Sequence, residues 1–285
     1  GLKKLIAAAC TAAVLCSALT GAGVLQNERQ DVFYKVSAAA KSSGTKNLTK
    51  SIKVKTSSGS KMTKAQANKL STASFKLVYQ VISSEESDQN ILISPTSILF
   101  AFGMAENGAK GNTRTQLETV INGGVKTGSL NNVLASARKR MVNSTDVEWN
   151  VANSVWFANR KDVKVKKSFL KKVKSYYGAE IYKAPFNQST VKDINAWVKK
   201  NTNKMIPKML DQIDDDAVMY LINAIAFEGK WEDEFRDSQI LKNQDFTNAD
   251  GTKVKVTMLT CGASAYFELN GGYGFLKEYA GGEYS

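Results

Sequence analysis

Few residue types in this sequence of 285 residues could carry out acid–base or metal chemistry. Histidine is absent, so no imidazole can take the proton of a serine or cysteine nucleophile. Zinc sites normally use histidine or clusters of cysteine, and the chain has only three cysteines. We therefore predict that the protein is not an enzyme, and we expect no metal site and no cofactor. Carboxylate-pair and Ser-Lys chemistry are not excluded by this argument.

Three hydrogen-bonding side chains lie in or beside apolar runs. Asn223 interrupts the nearly continuous apolar run 217–227, which predicts a strand that is buried on both faces. An asparagine buried there must find hydrogen-bond partners. Ser94 and Ser97 flank the predicted start of a helix at Pro95, where proline is well tolerated. The simplest interpretation of the two serines is helix capping, because serine is a favoured N-cap residue.

The charge of the chain favours contact with polyanions. Lysine and arginine number 39 against 26 acidic residues, which gives a net charge of +13, and such a field attracts anionic polymers such as those of a cell surface. The candidate contact residues are Arg138, Lys139 and Arg140, with the cluster Lys164–Lys174 as a second choice. An ordinary solvated basic surface is the alternative interpretation. We predict no nucleic-acid partner.

The N-terminal residues are typical of an export signal. Lys3 and Lys4 precede the apolar run Leu5–Leu19, and small residues follow at 20–23. This order predicts a secretory signal peptide at 1–23 and a secreted protein, since the run is short for a transmembrane helix. The alternative is lipidation of Cys16, which would anchor the protein to the cell envelope.

A change in composition separates this signal from the folded part. Residues 41–60 are mostly Ser, Thr, Gly and Lys, with too few apolar side chains to offset the entropy lost on ordering. We therefore predict a flexible basic linker at 24–61 and a folded domain at 62–285. If the signal is cleaved, Cys261 is the remaining thiol, and we expect it to be buried and inert.

Periodicity in the folded part predicts helices first and strands later, which favours an α+β fold. Helices are predicted from Thr63, which could cap the first, from Pro95, from Asn112 or Thr113, and over Leu130–Met141, Phe169–Tyr176 and Val191–Leu210. Strands are predicted at Asn90–Pro95, Val147–Phe157, Ile181–Ala184, Ala217–Phe227, Val254–Met258 and Ala265–Leu269.

Three long segments carry a resemblance to a known family. The segment Asn90–Thr113 contains Ser-Pro-x-Ser and, further on, Gly-Ala-x-Gly-x-Thr. The segment Ile194–Leu210 is an amphipathic helix, and Leu221–Phe235 combines an asparagine with Phe-x-Gly-x-Trp. In this order they resemble the serpins, and the similarity runs from about Met62 to the last residue. The resemblance is specific because three motifs occur in the correct order.

The resemblance implies the serpin fold, in which a helical N-terminal part packs on a large central sheet. It implies a suicide inhibitor of serine or cysteine proteases that inserts its cleaved reactive loop into that sheet, as a monomer when complete. The reactive loop and the last strands of the fold would follow Ser285, so the cleaved bond would lie outside this chain. The alternative is a non-inhibitory serpin that acts as a binding or transport protein.

The resemblance also gives roles to particular residues. Ser94, Ser97 and Asn223 match positions of a polar cluster beneath the point where the central strands part, where hydrogen bonds can exchange between two strand arrangements. Trp231 matches an aromatic residue at the top of the sheet where insertion begins, although simple core packing would also explain it. The chain has Asn203 where many members have glycine, and asparagine tolerates the left-handed conformation.

Overall fold

The computed structural model describes residues 44–84, 91–262, 265–269 and 272–285. The signal peptide predicted at 1–23 and residues 24–43 of the predicted linker lie outside the described residues. The α-helices of the described part are α1 (Lys64–Ser84), α2 (Pro95–Gly108), α3 (Gly111–Val120), α4 (Thr127–Val142), α5 (Lys167–Tyr177) and α6 (Gln188–Asn201). Its strands are β1 (Lys46–Asn47), β2 (Glu148–Ala158), β3 (Glu180–Ala184), β4 (Met219–Glu228), β5 (Ile240–Thr247), β6 (Lys253–Leu259), β7 (Tyr266–Leu269) and β8 (Gly272–Phe275).

Local sequence signals explain where the first helices begin. The Thr63 hydroxyl accepts a hydrogen bond from the Gln66 backbone N–H at 3.2 Å, and the Gln66 side chain accepts one from the Thr63 N–H at 2.9 Å. This reciprocal capping box satisfies two free donors at the start of α1, and it confirms the predicted cap. Pro95 occupies the first turn of α2, where its missing N–H removes no helical hydrogen bond.

The described residues divide into two compact units. The first contains the described residues up to Asn143 together with Trp149–Ala226. It is built on a mixed sheet of order β1-β3-β2-β4, in which β1 runs antiparallel to β3 and β2 runs parallel to β3 with Val155 opposite Ile181. Side chains alternate between the two faces of a strand, so this sheet has a helical layer on each side.

The two faces of the sheet have different partners. Val155 and Phe157 of β2 pack into a cluster with side chains of α1, α2, α4 and α5. Trp156, between them, packs on the opposite face with Ile194, Trp197 and Val198 of α6. The centre of β4 is buried on both faces, since consecutive residues Ile222 to Ala224 are all at most 4% exposed, which confirms the prediction from its apolar run.

The prediction of a flexible linker at 24–61 is wrong for residues 44–61, which are attached to the domain. β1 pairs antiparallel with β3, and the Leu48 N–H donates to the Ile181 carbonyl at 2.7 Å. Ile52 is 6% exposed and belongs to the core cluster beneath α5. The polar composition of this segment did not predict its attachment, because one buried isoleucine and a series of backbone hydrogen bonds hold it to the domain.

Two other predicted elements are also corrected. Residues 91–94 are not a strand, because they form an irregular lead into α2. The helix predicted over Val191–Leu210 ends at Asn201. It stops because Asn203 and Lys204 both adopt positive φ, 48° and 67°, a conformation that ends a right-handed helix. Asn203 therefore takes the left-handed conformation that the sequence predicted.

The second unit contains Ser144–Glu148 and Phe227–Ser285. Its hairpins are β5–β6 and β7–β8, both antiparallel. Cys261 follows β6 and is exposed, so the prediction of a buried inert thiol is wrong. Among the described helices, none is long and apolar enough to span a membrane.

Candidate functional site

The sheet-opening residues predicted from the sequence meet between α2 and the sheet. Ser97 lies in the first turn of α2 and is 1% exposed, and its hydroxyl donates a hydrogen bond to Oδ1 of Asn223 in β4. Asn223 is 4% exposed. The alternation of β4 places Asn223 on the face of the sheet that packs against α2, so the amide finds the partner that a buried polar group requires.

A third residue, which the sequence analysis missed, completes this group. Asn223 donates from Nδ2 to Oδ1 of Asn153 in β2 at 2.9 Å. Asn153 is 2% exposed and donates in turn to the backbone carbonyl of Tyr177, at the end of α5, at 2.9 Å. Ser97, Asn223 and Asn153, hereafter the amide junction, thus connect α2, two adjacent strands and α5.

The hydrogen bonds continue from Tyr177 back to α2. The Tyr177 hydroxyl donates to Oδ1 of Asn131 in α4 at 2.6 Å, and Asn131 and Asn107 exchange side-chain hydrogen bonds at 2.8 and 3.0 Å. Gly103 leaves room for this hydroxyl, since a Cβ there would lie 2.5 Å from the Tyr177 oxygen. The helices and the sheet are therefore held in one buried polar network.

The network has no group that can act as an acid or base at neutral pH. Burial raises the pKa of Tyr177 well above its usual value, so its hydroxyl remains a donor. Serine hydroxyls and asparagine amides can both donate and accept. The amide junction therefore buries no charge between the helix and the two strands.

Ser94 has a different role from Ser97. Its Oγ accepts a hydrogen bond from the Ser97 backbone N–H at 3.2 Å, and its backbone is extended at φ −113°. This is the geometry of an N-cap. The structure brings together Ser97 and Asn223, whereas Ser94 holds the start of the helix on which Ser97 lies.

Comparison with known proteins identifies the family. The family model described as Serpin (serine protease inhibitor) matches residues 68–272. The chain belongs to the serpin family. Human neuroserpin is 31% identical to this serpin over 189 residues, which cover 64% of the chain and 45% of neuroserpin. Human glia-derived nexin is 32% identical over 195 residues, which cover 66% of the chain and 48% of the nexin.

Solved structures of a thermophilic serpin, Tengpin, show the same fold. Its native state aligns with a TM-score of 0.74 and 35% identity over 84% of this chain and 60% of Tengpin. Its latent state aligns with a TM-score of 0.69 over 78% of this chain and 60% of that chain. The α+β serpin fold predicted from the sequence is thus confirmed. The chain spans about half the length of the curated relatives named above.

Trp231 belongs to the second unit of this serpin. It forms an isolated β-bridge with Tyr279, and the two rings stack with centroids 4.2 Å apart at 18°. The Lys277 ammonium lies 5.4 Å from the centre of the indole ring, within the range of a cation–π contact. Trp231 therefore packs against Tyr279 within its own unit, and its role in loop insertion stays a prediction.

A second buried polar cluster joins α2, α3 and the start of α4. The Glu106 carboxylate is 0% exposed and bonds with Nδ2 of Asn122 at 2.9 Å and with the Thr127 hydroxyl at 3.0 Å. The same hydroxyl lies 2.8 Å from Oε1 of Glu118, which also accepts from the Thr127 N–H. A hydroxyl has one hydrogen to donate, so the Thr127 hydroxyl can donate to only one of these two carboxylates at a time.

The pKa values of the two acids follow from these contacts. Burial raises the pKa of Glu106 to about 7, while the hydrogen bonds from Asn122 and Thr127 oppose the rise. The Thr127 backbone N–H lowers the pKa of Glu118 to about 2, with help from the Lys126 ammonium 3.0 Å away. The sequence signal for Glu106 is a lone acid among the small and apolar residues of α2.

The basic triplet proposed as a polyanion contact is only partly on the surface. Lys139 and Arg140 are exposed in the last turn of α4. Arg138 is half-buried, because its guanidinium lies over Gly178, where a Cβ would approach within 2.9 Å of Cζ. This side chain packs against the end of α5 and presents less of its charge to solvent, and the same burial lowers the pKa of Arg138.

Proposed function

We propose that the protein to which this chain belongs inhibits serine or cysteine proteases by loop insertion. The supporting observation is the amide junction, which crosses from α2 to two adjacent strands of the sheet. In the described part of the sheet, β4 is the last strand of the order β1-β3-β2-β4. A strand at the end of a sheet offers backbone groups to which another strand can add.

The protein itself supplies no nucleophile in this mechanism. The target protease attacks a peptide bond of the reactive loop, which releases a new amino terminus and leaves an acyl-enzyme. The freed loop then adds as a strand beside β4, and the strain of the native fold is released as strand pairing and buried apolar area. Insertion distorts the protease before water can hydrolyse the acyl-enzyme.

The amide junction makes this strand addition feasible. Any strand that enters next to β4 changes the spacing of the strands at Asn223. The Asn223 side chain accepts a hydrogen bond from Ser97 and donates one to Asn153, so these are the contacts that would change. All three are neutral, so a shift of partners avoids the large cost of burying a charge. An ionic contact at this position would resist such a change.

We also propose that the protein acts outside the cell. The support is the order of residues at 1–23, a basic start, an apolar run and small residues, which is the order of a secretory signal. Lipidation at Cys16 is the alternative form of export, and a mass measurement of the mature protein distinguishes the two.

The full-length protein with its reactive loop tests the inhibitory function. Incubation with a panel of serine and cysteine proteases should give a complex that survives boiling in detergent with at least one of them. Asn223→Ala should reduce the yield of complex and increase the yield of cleaved protein. Digestion by every protease without any covalent complex would favour the non-inhibitory alternative and would sink the inhibitory proposal.

A further inference from the structure

Helix α3 is held by fewer buried side chains than the helices on either side of it. Two of its residues, Leu117 and Glu118, are buried, compared with eight in α2 and six in α4. Elements with few buried contacts open locally at the lowest free energy. If a contact in this region changes, α3 is therefore the helix that we expect to separate from its neighbours.

Glycines at both ends allow α3 to move as a unit. Gly111 begins the helix with φ +53°, and Gly124 follows it with φ +90°. Glycine enters and leaves such left-handed conformations at little cost. A Cβ on either glycine would meet no atom within 4 Å, so neither position is fixed by tight packing against a neighbour.

Hydrogen bonds to two acids attach the C-terminal end of this segment to the domain. The Asn122 side chain donates from Nδ2 to Oε2 of Glu106 in α2 at 2.9 Å. The Glu118 carboxylate accepts at Oε1 from the Thr127 N–H and hydroxyl, at the start of α4, at 2.9 and 2.8 Å. Residues 111–126, hereafter the α3 latch, are thus joined to α2 and to α4 by polar contacts that include buried carboxyl groups.

The contacts of Glu106 suit a neutral carboxyl group. An ionised carboxylate has about four sites that accept hydrogen bonds, but Oε1 of Glu106 has no hydrogen-bond partner among the described residues. Oε2 competes with Glu118 for the one hydrogen of the Thr127 hydroxyl. A proton on Glu106 removes the buried charge, and the Thr127 hydrogen can then stay with Glu118.

Burial raises the pKa of Glu106 to about 7, and the charged groups around it do not reverse this shift. From α3, Glu118 repels the ionised form of Glu106 and Arg114 attracts it, while Lys126 pairs with Glu118 at 3.0 Å. From α5, the Tyr177 hydroxyl brings no charge, because burial raises its pKa well above the usual value. Glu106 therefore loses its proton close to neutral pH.

We propose that the proton on Glu106 controls the α3 latch, which is closed on α2 and α4 while Glu106 is protonated and opens locally when Glu106 is ionised. Opening lets the carboxylate reach water, which removes the cost of a buried charge. It also uncovers Ile98 and Phe102 of α2, against which Leu117 and Ile121 pack. The exposure of an apolar surface thus depends on pH, and it does so whether or not the protein inhibits proteases.

Hydrogen–deuterium exchange of the full-length protein tests the proposal at pH 6 and pH 8, after correction for the intrinsic rate of exchange. The pKa of Glu106 is about 7 in the closed latch and should return to its usual 4.5 in the open one. Exchange within 111–126 should therefore rise about tenfold between the two pH values. Peptides of α6 are the internal control and should not change. In Glu106→Gln, exchange within 111–126 should be equal at both pH values.

Two variants of α3 change the charge around Glu106 without replacing it. Glu118→Gln removes a negative charge and should lower the pH at which exchange within 111–126 reaches its plateau. Arg114→Gln removes a positive charge and should raise that pH. A purely structural role of either residue would change exchange by the same factor at every pH. Asp215→Asn, at an exposed position outside α3, is the control and should leave the plateau where it is.

Four results would overturn the proposal. Exchange within 111–126 could prove independent of pH in the native sequence, or it could keep its pH dependence in Glu106→Gln. Equal increases with pH in α2, α4 and α6 would mean a global loss of stability and no local latch. A plateau that stays in place in both Glu118→Gln and Arg114→Gln would assign the pH dependence to another group.

Discussion

The amide junction can be measured by a double-mutant cycle between Ser97 and Asn223. Asn223→Ala removes the acceptor of the Ser97 hydroxyl and the donor to Asn153. Two buried groups then lack a partner, each at a cost of about 1–3 kcal/mol. We expect the free energy of unfolding to fall by about 2–6 kcal/mol. Ser97→Ala leaves only the Asn223 oxygen without a donor, so its cost should be about 1–2 kcal/mol.

The double variant distinguishes a coupled pair from two separate contributions. In the Asn223→Ala background the Ser97 hydroxyl has already lost its partner, so its removal should cost close to nothing. The coupling energy should therefore be about 1–2 kcal/mol. Ser94→Ala is the matched control, since Ser94 contacts the Ser97 backbone as an N-cap. It should cost about 1 kcal/mol and be additive with Asn223→Ala.

Urea unfolding followed by circular dichroism and tryptophan fluorescence gives these free energies. The slope with urea should be the same for all variants, because the area exposed on unfolding does not change. Additive effects of Ser97→Ala and Asn223→Ala would refute the coupled junction. A coupling of equal size for Ser94 would show that the effect belongs to the helix start and not to the contact with β4.

Three further predictions concern other parts of the first unit. Gly59→Ala should release residues 44–61 from the domain, because φ at Gly59 is +65° and a Cβ would lie 2.6 Å from the Ser136 backbone nitrogen. The release should be seen as faster limited proteolysis after the lysines of this segment. The control is Gly128→Ala, which has open space around it and should not change the rate of proteolysis. The pKa of Glu106 is raised from 4.5 to about 7, so its contribution to stability is complete below pH 4.5 and is lost as pH rises to 7. Glu106→Gln should not lose stability in this way. The difference in free energy of unfolding, variant minus native sequence, should therefore rise by up to about 3 kcal/mol between pH 4.5 and 8. A difference that is independent of pH would contradict the raised pKa of Glu106. Lys204→Gly should raise stability by about 1 kcal/mol, because it relieves a positive φ, whereas Lys192→Gly at an exposed position within α6 should lower it by about 1 kcal/mol; equal effects of the two would count against the strain.

The sequence predicted the strands in which the pattern of apolar residues determines which side chains are buried. The apolar run at 217–227 and the alternation at 147–157 correspond to β4 and β2, and Asn223 was recognised because a polar residue in a buried strand needs a partner. Asn153 carries the same signal, a polar residue at an inward position between Val151 and Val155. It was missed because no motif drew attention to it.

The failures have physical causes that a local pattern does not show. The segment 44–61 is ordered by Ile52 and by backbone hydrogen bonds to distant strands and helices, and no periodicity records such contacts. The end of α6 depends on two residues with positive φ, and one of them is a lysine. Cys261 was expected to be buried because free cysteine usually is, yet it follows a hairpin whose side chains are mostly exposed.

Thermal unfolding of the full-length protein before and after cleavage of its reactive loop is the most direct test of loop insertion. A protease that cuts the loop without being trapped prepares the cleaved form. If the freed loop adds beside β4, the added strand pairing and buried area should raise the unfolding temperature well above that of the uncut protein, and Asn223→Ala should alter the temperature of the uncut form more than that of the cleaved form. An unchanged unfolding temperature after cleavage would contradict insertion and leave a serpin that does not inhibit by this mechanism.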